Sequence, residues 1–259
     1  MKAKKQFGQN FLIDKIVLDK ISNTIFASNK DLIIEVGPGR GALTKKLLEK
    51  DCNLLAYEID KDLIPLLNSM NNKNLVVKNI DFLSTDINAD IKNYDYENLY
   101  IVGNLPYYIT TPIIEHIILS KVKSKKITIM VQLEVAKRFA AKPKTKDYGY
   151  FTIYLQHFYH IEFITEVKPE SFNPAPKVTS AVISLTPKEN VLNVDSNFFD
   201  FIKECFKEKR KTIRNNLRNY DILFIDSVLK KLDISNSVRA EELTEKDLYN
   251  IYQEIILGK

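Results

Sequence analysis

Two short stretches carry residue types that can do chemistry together. The first is Gly103-Asn104-Leu105-Pro106-Tyr107, which ends the apolar run Tyr100-Ile101-Val102. The side-chain carbonyl of Asn104 and the main-chain carbonyl of Leu105 are neighbouring hydrogen-bond acceptors. Pro106 restricts the backbone so that the Leu105 carbonyl is held in one direction. Tyr107 offers a flat face on which a nucleobase can stack, worth ~1–3 kcal/mol. An exocyclic amine on a base is a poor nucleophile because its lone pair is delocalised into the ring. Two acceptors drawing on its N–H groups pull the nitrogen toward a tetrahedral shape and localise that lone pair. No strong base is then required.

The second stretch is Glu35-Val36-Gly37-Pro38-Gly39-Arg40-Gly41, three glycines in five residues after the apolar run Leu32-Ile33-Ile34. Glycines at a strand-to-helix turn let the backbone turn tightly and approach a ligand closely. Gly37, Gly39 and Ala42, with Glu58 placed 21 residues beyond Gly37, also satisfy a dinucleotide fingerprint. The turn alone therefore leaves a nicotinamide cofactor and a methyl donor both open. Glu35 favours the second, because a carboxylate at the strand's end can face the cationic sulfonium and amino-acid end of S-adenosylmethionine. The Asn104–Tyr107 stretch decides for the methyl donor.

The flanking pattern supplies elements to position these residues. Apolar runs at Leu32–Val36, Leu54–Glu58, Leu75–Lys78, Tyr100–Gly103 and Ile127–Val131 read as buried strands. Helical spacing follows at Ala42–Lys50, Lys61–Met70, Pro112–Leu119 and through Val135 and Phe139, and precedes them at Ile16–Ile25. Alternation of this kind predicts βαβ units and a mostly parallel, Rossmann-like α/β sheet. Phe151, Tyr154, Leu155 and Phe158 predict a further helix. Ile161–Val167 and Val178–Leu185 predict two closing strands that can pair antiparallel at the sheet's edge. After Pro187 the pattern turns helical, from Phe198 to Phe206 and again from Thr244, with one short strand-like run at Ile222–Ile225. The expected organisation is a catalytic α/β domain over residues 1–188 and a small helical domain over 189–259.

Composition bounds the rest. Hydrophobic residues make up 45% of the 259 and charged residues 27%, values that exclude disorder for most of the chain. No apolar run reaches the ~18 residues of a membrane span. Met1-Lys2-Ala3-Lys4-Lys5 is basic but is followed by no apolar leader segment. Cys52 and Cys205 have neither metal nor disulfide spacing, so the expectation is a reducing, cytoplasmic setting and no metal. The net charge of +5 hides an asymmetry: residues 121–147 carry +7, residues 203–218 carry +5, and residues 31–104 carry −4. A polyanion partner fits the basic segments. Solvated lysine faces in a lysine-rich chain fit too, since only six of the 38 basic residues are Arg.

Seven stretches in order resemble the KsgA-type (RsmA) small-subunit rRNA adenine dimethyltransferases over nearly the full chain. They are Gln6–Leu12, Glu35–Gly41, Asn104–Tyr107 with Thr110-Thr111-Pro112, Gln132–Arg138, Asp147–Gly149, Phe172–Val178 and Arg210–Leu217. The resemblance implies a class I methyltransferase fold. It implies N6-dimethylation of two adjacent adenosines near the 3′ end of 16S rRNA, in the assembling 30S subunit, with S-adenosylmethionine as methyl donor. Asn10 and Leu12 would close over the methionine end of the cofactor. Gly37 would contact it along the backbone, beside Glu35 and Gly39. Glu58 would hold the ribose, Asp81 the cofactor's adenine amine, and Asn104 would complete the set. Phe172 would sandwich the target adenine against Tyr107. Lys137, Arg138, Arg210, Lys211 and Arg214 would meet rRNA phosphates. A monomer is expected.

Tyr108 departs from the family pattern, where Asn is frequent. The neighbouring alternative is the Erm type, which modifies 23S rRNA and usually carries Asn-Ile-Pro-Tyr; Leu105 and the Arg210–Leu217 stretch favour the small-subunit type. A mainly non-catalytic rRNA-binding assembly factor is a further alternative.

Overall fold

A computed structural model describes residues 3–4 and 7–256. Met1, Lys2, Lys5 and Gln6 of the N-terminal stretch lie outside the described residues. In chain order the elements begin with β1 (Phe11–Leu12), α1 (Lys15–Asn23), β2 (Leu32–Val36), α2 (Ala42–Leu48) and β3 (Asn53–Tyr57). There follow α3 (Ile64–Asn68), β4 (Leu75–Lys78), α4 (Ile87–Ile91), β5 (Leu99–Asn104), α5 (Thr110–Ser120), β6 (Lys126–Gln132) and α6 (Leu133–Phe139). Then come α7 (Tyr150–Phe158), β7 (Tyr159–Val167), β8 (Phe172–Asn173) and β9 (Ser180–Pro187). Four helices complete the chain: α8 (Ser196–Cys205), α9 (Ile213–Asn216), α10 (Ile222–Lys231) and α11 (Glu245–Ile256).

Seven strands form one sheet in the order β4-β3-β2-β5-β6-β9-β7. The five strands from β4 to β6 pair in parallel, and β9 runs antiparallel along β6. The two closing strands thus take the sheet edge as expected, with β9 inserted between β6 and β7. Every residue of β2 is buried, as a central parallel strand requires. The order reverses between β2 and β5, and ligands in such sheets bind at the carboxyl ends of the strands at that reversal. The apolar cluster of this unit gathers Ile33, Leu54, Tyr100, Val102 and Met130 from the sheet, and Val17, Ile21, Leu43 and Leu47 from α1 and α2.

The chain divides into two compact units, residues 1–136 with 161–187, and residues 137–160 with 188–259. Residues 137–160, expected within the catalytic domain, belong to the second unit: Ala141, Tyr148 and Ile153 share its apolar cluster with Phe198, Ile202, Leu229 and Leu248. The Ile222–Ile225 run is helical, not a strand. Asp221 caps it, accepting from the Leu223 and Phe224 N–H groups at 2.8 and 3.1 Å, and Ile225, Val228 and Leu229 form its buried face.

β2 and β5 approach so closely that position 103 has no room for a side chain. A Cβ on Gly103 would lie 2.6 Å from the Val36 carbonyl oxygen and 2.9 Å from Leu105 Cδ2. Gly103→Ala is expected to lower the unfolding free energy by about 1–3 kcal/mol, the usual effect of overpacking. Urea denaturation should show a reduced midpoint with an unchanged slope.

Candidate active site

The register Val36↔Gly103 sets the two chemical stretches side by side at the carboxyl ends of β2 and β5. A cavity of about 200 Å³ opens there. Asn10, Leu12, Glu35, Gly37, Gly39, Glu58, Asp81, Asn104, Leu105, Pro106 and Tyr107 all line it.

The reaction stretch is held from its backbone. The Leu105 N–H donates to the Met130 carbonyl at 3.2 Å, and Pro106 continues extended (φ −58°, ψ 131°). The Asn104 amide nitrogen donates to the Asn10 carbonyl at 3.0 Å. That bond fixes which way the amide is turned and leaves its carbonyl oxygen without a partner in the protein. Neither that oxygen nor the Leu105 carbonyl accepts a hydrogen bond among the described residues. The two acceptors that the chemistry requires are therefore both available.

The acids sit on the cofactor side. Glu58 is buried and takes the Gly39 N–H on one carboxylate oxygen and the Asp60 N–H on the other, both at 2.9 Å. Gly37 and Gly39 adopt left-handed conformations (φ +70° and +57°), and the tight turn uses both amides internally, Gly37 N–H on the Tyr57 carbonyl at 3.0 Å and Gly39 N–H on Glu58. Asp81 caps the turn after β4, accepting from the Leu83 N–H at 3.0 Å through one oxygen. Glu35 is the extreme case. It is 1% exposed, and its Oε2 is buried without a hydrogen-bond partner. Burial pushes its carboxyl up to about 8; the Thr44 hydroxyl opposes this and the Glu58 carboxylate adds to it. A buried carboxyl with an unpartnered oxygen in an acid-lined cavity fits a cationic ligand, and the acids Glu58 and Asp81 beside a glycine turn that leaves room along its backbone fit a nucleoside attached to it. The residues present therefore suit S-adenosylmethionine.

A strap precedes β1. Lys4 Nζ meets Asp60 Oδ1 and Asp62 Oδ2, each at 2.6 Å, and the Gln9 amide donates to Asp60 Oδ2 at 2.8 Å. Phe7, Gly8 and Phe11 from this strap line the cavity. Phe172 is placed differently from expectation. It pairs with Leu12 in the two-residue β1/β8 ladder and is buried in the apolar cluster of the sheet unit, so it does not line the cavity and makes no stack with Tyr107. Its physical role here is to anchor the strap. Among the lining residues given no role from the sequence are Ile59 and Ile80, both exposed large apolar groups; Tyr108, which departs from the family pattern, lines the cavity beside Tyr107. The signal for the first two was available, since each adjoins an acid (Glu58, Asp81) just past a strand end.

The basic residues divide by unit. Lys121, Lys123, Lys125 and Lys126 lie in the sheet unit, at or before the amino end of β6, the end opposite the cavity. Lys137, Arg138, Arg210 and Lys211 are exposed in the second unit, and Lys209 Nζ donates to the Lys146 carbonyl, joining its two basic turns. Arg214 is the exception: its guanidinium is paired with Asp226, at 2.6 and 2.8 Å. The three arginines 210, 214 and 218 do not share one helix, because α9 spans only Ile213–Asn216. The buried Asn216 amide donates to the carbonyls of Cys205 and Glu208 and accepts from the Glu208 N–H, which holds the turn that follows the end of α8 at Cys205.

The model of the ribosomal RNA adenine dimethylase family matches residues 1–257. The chain belongs to this family. A small-subunit rRNA methyltransferase A of Mycoplasmopsis pulmonis is 40% identical over 98% of this chain and 100% of its own length. A dimethyladenosine transferase of Plasmodium falciparum superposes with a TM-score of 0.82 at 25% identity, over 95% of this chain and 98% of that one. The 23S rRNA methyltransferase ErmE superposes with a TM-score of 0.72 at 25% identity, over 95% and 100%. The Rossmann-like methyltransferase fold and the family expected from the seven stretches are borne out, and the expectation of an S-adenosylmethionine-dependent enzyme stands with them. The nicotinamide alternative falls. No helix among the described residues is long and apolar enough to cross a membrane.

The Glu35 carboxyl yields a pH test. Its value in the folded, cofactor-free protein, about 8, lies above the ordinary 4.5 of an unfolded chain. The fold then keeps a proton that the unfolded chain releases, so this group's stabilising contribution is full below pH ~4.5 and is lost as pH rises toward 8. Glu35→Gln should remove that loss. Urea midpoints without cofactor should be similar for variant and parent near pH 4.5 and increasingly favour the variant toward pH 8.

Proposed function

We propose that this chain transfers methyl groups from S-adenosylmethionine to N6 of adenosines in small-subunit rRNA, two per base, as the 30S subunit assembles. The observation that carries the reading is the pair of free acceptors, Asn104 Oδ1 and the Leu105 carbonyl, beside an aromatic face in an acid-lined cavity. The name and 40% identity of the Mycoplasmopsis relative support the small-subunit substrate over the 23S one.

Bound S-adenosylmethionine supplies a methyl group on a sulfonium, a leaving group that needs no acid. The chain's residues do the rest. Glu58 and the glycine turn orient the nucleoside part, Asp81 recognises its amine, and Glu35 balances the positive charge. Tyr107 stacks the target base. Asn104 Oδ1 and the Leu105 carbonyl take its two N–H groups and aim the nitrogen's lone pair at the methyl. After one transfer a single N–H remains, and either acceptor can hold it for the second. Departure of the amine proton requires no poised base, because a methylated ammonium is strongly acidic when its lone pair can rejoin the ring. The exposed cations Lys137, Arg138, Arg210 and Lys211 hold rRNA phosphates. Arg214 contributes by fixing α9 against α10 through Asp226.

Methyl transfer to 30S particles and to 23S rRNA, read by mass spectrometry of the nucleosides, tests this. N6,N6-dimethyladenosine in 16S rRNA is expected; product in 23S rRNA alone sinks the reading and selects the Erm type. Tyr107→Ala should lower kcat by about 5- to 150-fold, the range set by base–aromatic stacking, while 30S binding largely persists. Binding to 30S should weaken steeply with salt. Neutralising Lys137 or Arg210 should each flatten the slope of log K against log salt by about 1.

A further inference from the structure

Tyr107 lines the cavity, but its hydroxyl is engaged behind it, 2.6 Å from Ser180 Oγ. Ser180 opens β9 and is fully buried, with 0% of its surface exposed. Its backbone is fixed to β6 by the register Gln132↔Ser180, and the adjoining Thr179 carbonyl accepts from the Leu133 N–H at 3.0 Å. A hydroxyl on that strand does not follow the motions of the loop that carries Tyr107. The phenol ring is thus held at two points: at its Cβ by the loop after β5, and at its oxygen by β9, a strand flanked on both sides in the sheet and from a different part of the chain.

Ring tilt matters for the chemistry. A base stacked on Tyr107 inherits the plane of the ring, and both N–H groups of its amine must meet two fixed acceptors, Asn104 Oδ1 and the Leu105 carbonyl. A ring free to rock about its Cα–Cβ bond would swing the amine off those acceptors while still permitting a stack. We propose that Ser180 is a positioning residue: it locks the plane of Tyr107 so that a stacked adenine presents N6 to both acceptors at once. This rests on the methyltransferase reading above. Ser180 touches neither base nor cofactor; it acts through the phenol hydroxyl alone. The hydroxyl itself has no role in the methyl transfer.

The test compares Ser180→Ala, Tyr107→Phe and the double variant with the parent in steady-state methylation of 30S particles. Each single change removes the same hydrogen bond from a different side. Each is expected to lower kcat by about 2- to 12-fold, the range of one net hydrogen bond, with KM for S-adenosylmethionine and affinity for 30S unchanged. The double variant should be no slower than the slower single. RNA carrying 2-aminopurine at the target adenosine should be less quenched by either variant than by the parent, which reports a loosened stack independently of turnover. Ser180→Ala at parental kcat and parental quenching overturns the proposal, as does a double variant whose losses multiply. A Ser180→Ala whose only change is a lower melting temperature also overturns it, assigning the bond to fold stability. If the parent itself methylates no rRNA, the underlying function fails, and with it this role; an active parent with an indifferent Ser180→Ala removes this role alone.

Discussion

Everything in the site depends on how closely β2 and β5 run together. The pairing Val36↔Gly103 sets the glycine turn after one strand beside the Asn104 stretch after the other. It is possible only because position 103 has no Cβ to meet the Val36 carbonyl. Cofactor turn and reaction motif are 66 residues apart in the chain, yet they become neighbours at the point where the strand order reverses. Geometry at the angstrom level then follows from main-chain hydrogen bonds and not from flexible side chains. Leu105 hangs on Met130, and Asn104 on the Asn10 carbonyl. The amide of Asn104 is turned by its donor side, and its acceptor is what remains.

Electrostatics divides the molecule by task. Glu35, Glu58 and Asp81 surround one cavity, and two of them are buried. Burying carboxylates without cations costs stability, as the raised carboxyl of Glu35 shows. That strain makes sense where the missing counter-charge arrives with the ligand. The basic segments lie away from that cavity: 121–126 belong to the sheet unit, and 137–146 and 207–211 are joined in the second unit by the Lys209–Lys146 contact. The net charge of +5 thus conceals an acid-lined cavity as well as basic segments away from it.

The places where structure and sequence part company share a cause. Arg210, Arg214 and Arg218 have helical spacing, but the buried amide of Asn216 takes the carbonyls of Cys205 and Glu208 and holds the turn that follows the end of α8. Arg214 is spent on Asp226. The Ile222–Ile225 run has strand composition but is capped by Asp221 and packs one face on the second unit's core. Phe172 was expected to face the target base, yet its neighbour across the β1/β8 ladder is Leu12, and both are buried in the sheet unit's apolar cluster. In each case a long-range partner overrides a local pattern.

The parallel sheet, the glycine turn, the Asn104–Tyr107 stretch and the family were all legible in the linear sequence, because strand periodicity and turn chemistry are local properties. Glu35 and Glu58 were legible for the same reason, as acids at strand ends, whereas Asp81 was marked only by the family resemblance. Only the tertiary structure decided that residues 137–160 join the second unit, that Phe172 leaves the cavity, that Asn104 is oriented by Asn10 and that Tyr107 is tethered to Ser180. Those outcomes depend on contacts such as Tyr148 with Phe206, Tyr107 with Ser180, Asn10 with Asn104 and Leu12 with Phe172, 58 to 160 positions apart. No pattern along the chain encodes such a contact; it exists only once the sheet has closed and each polar group has found the partner its burial demands.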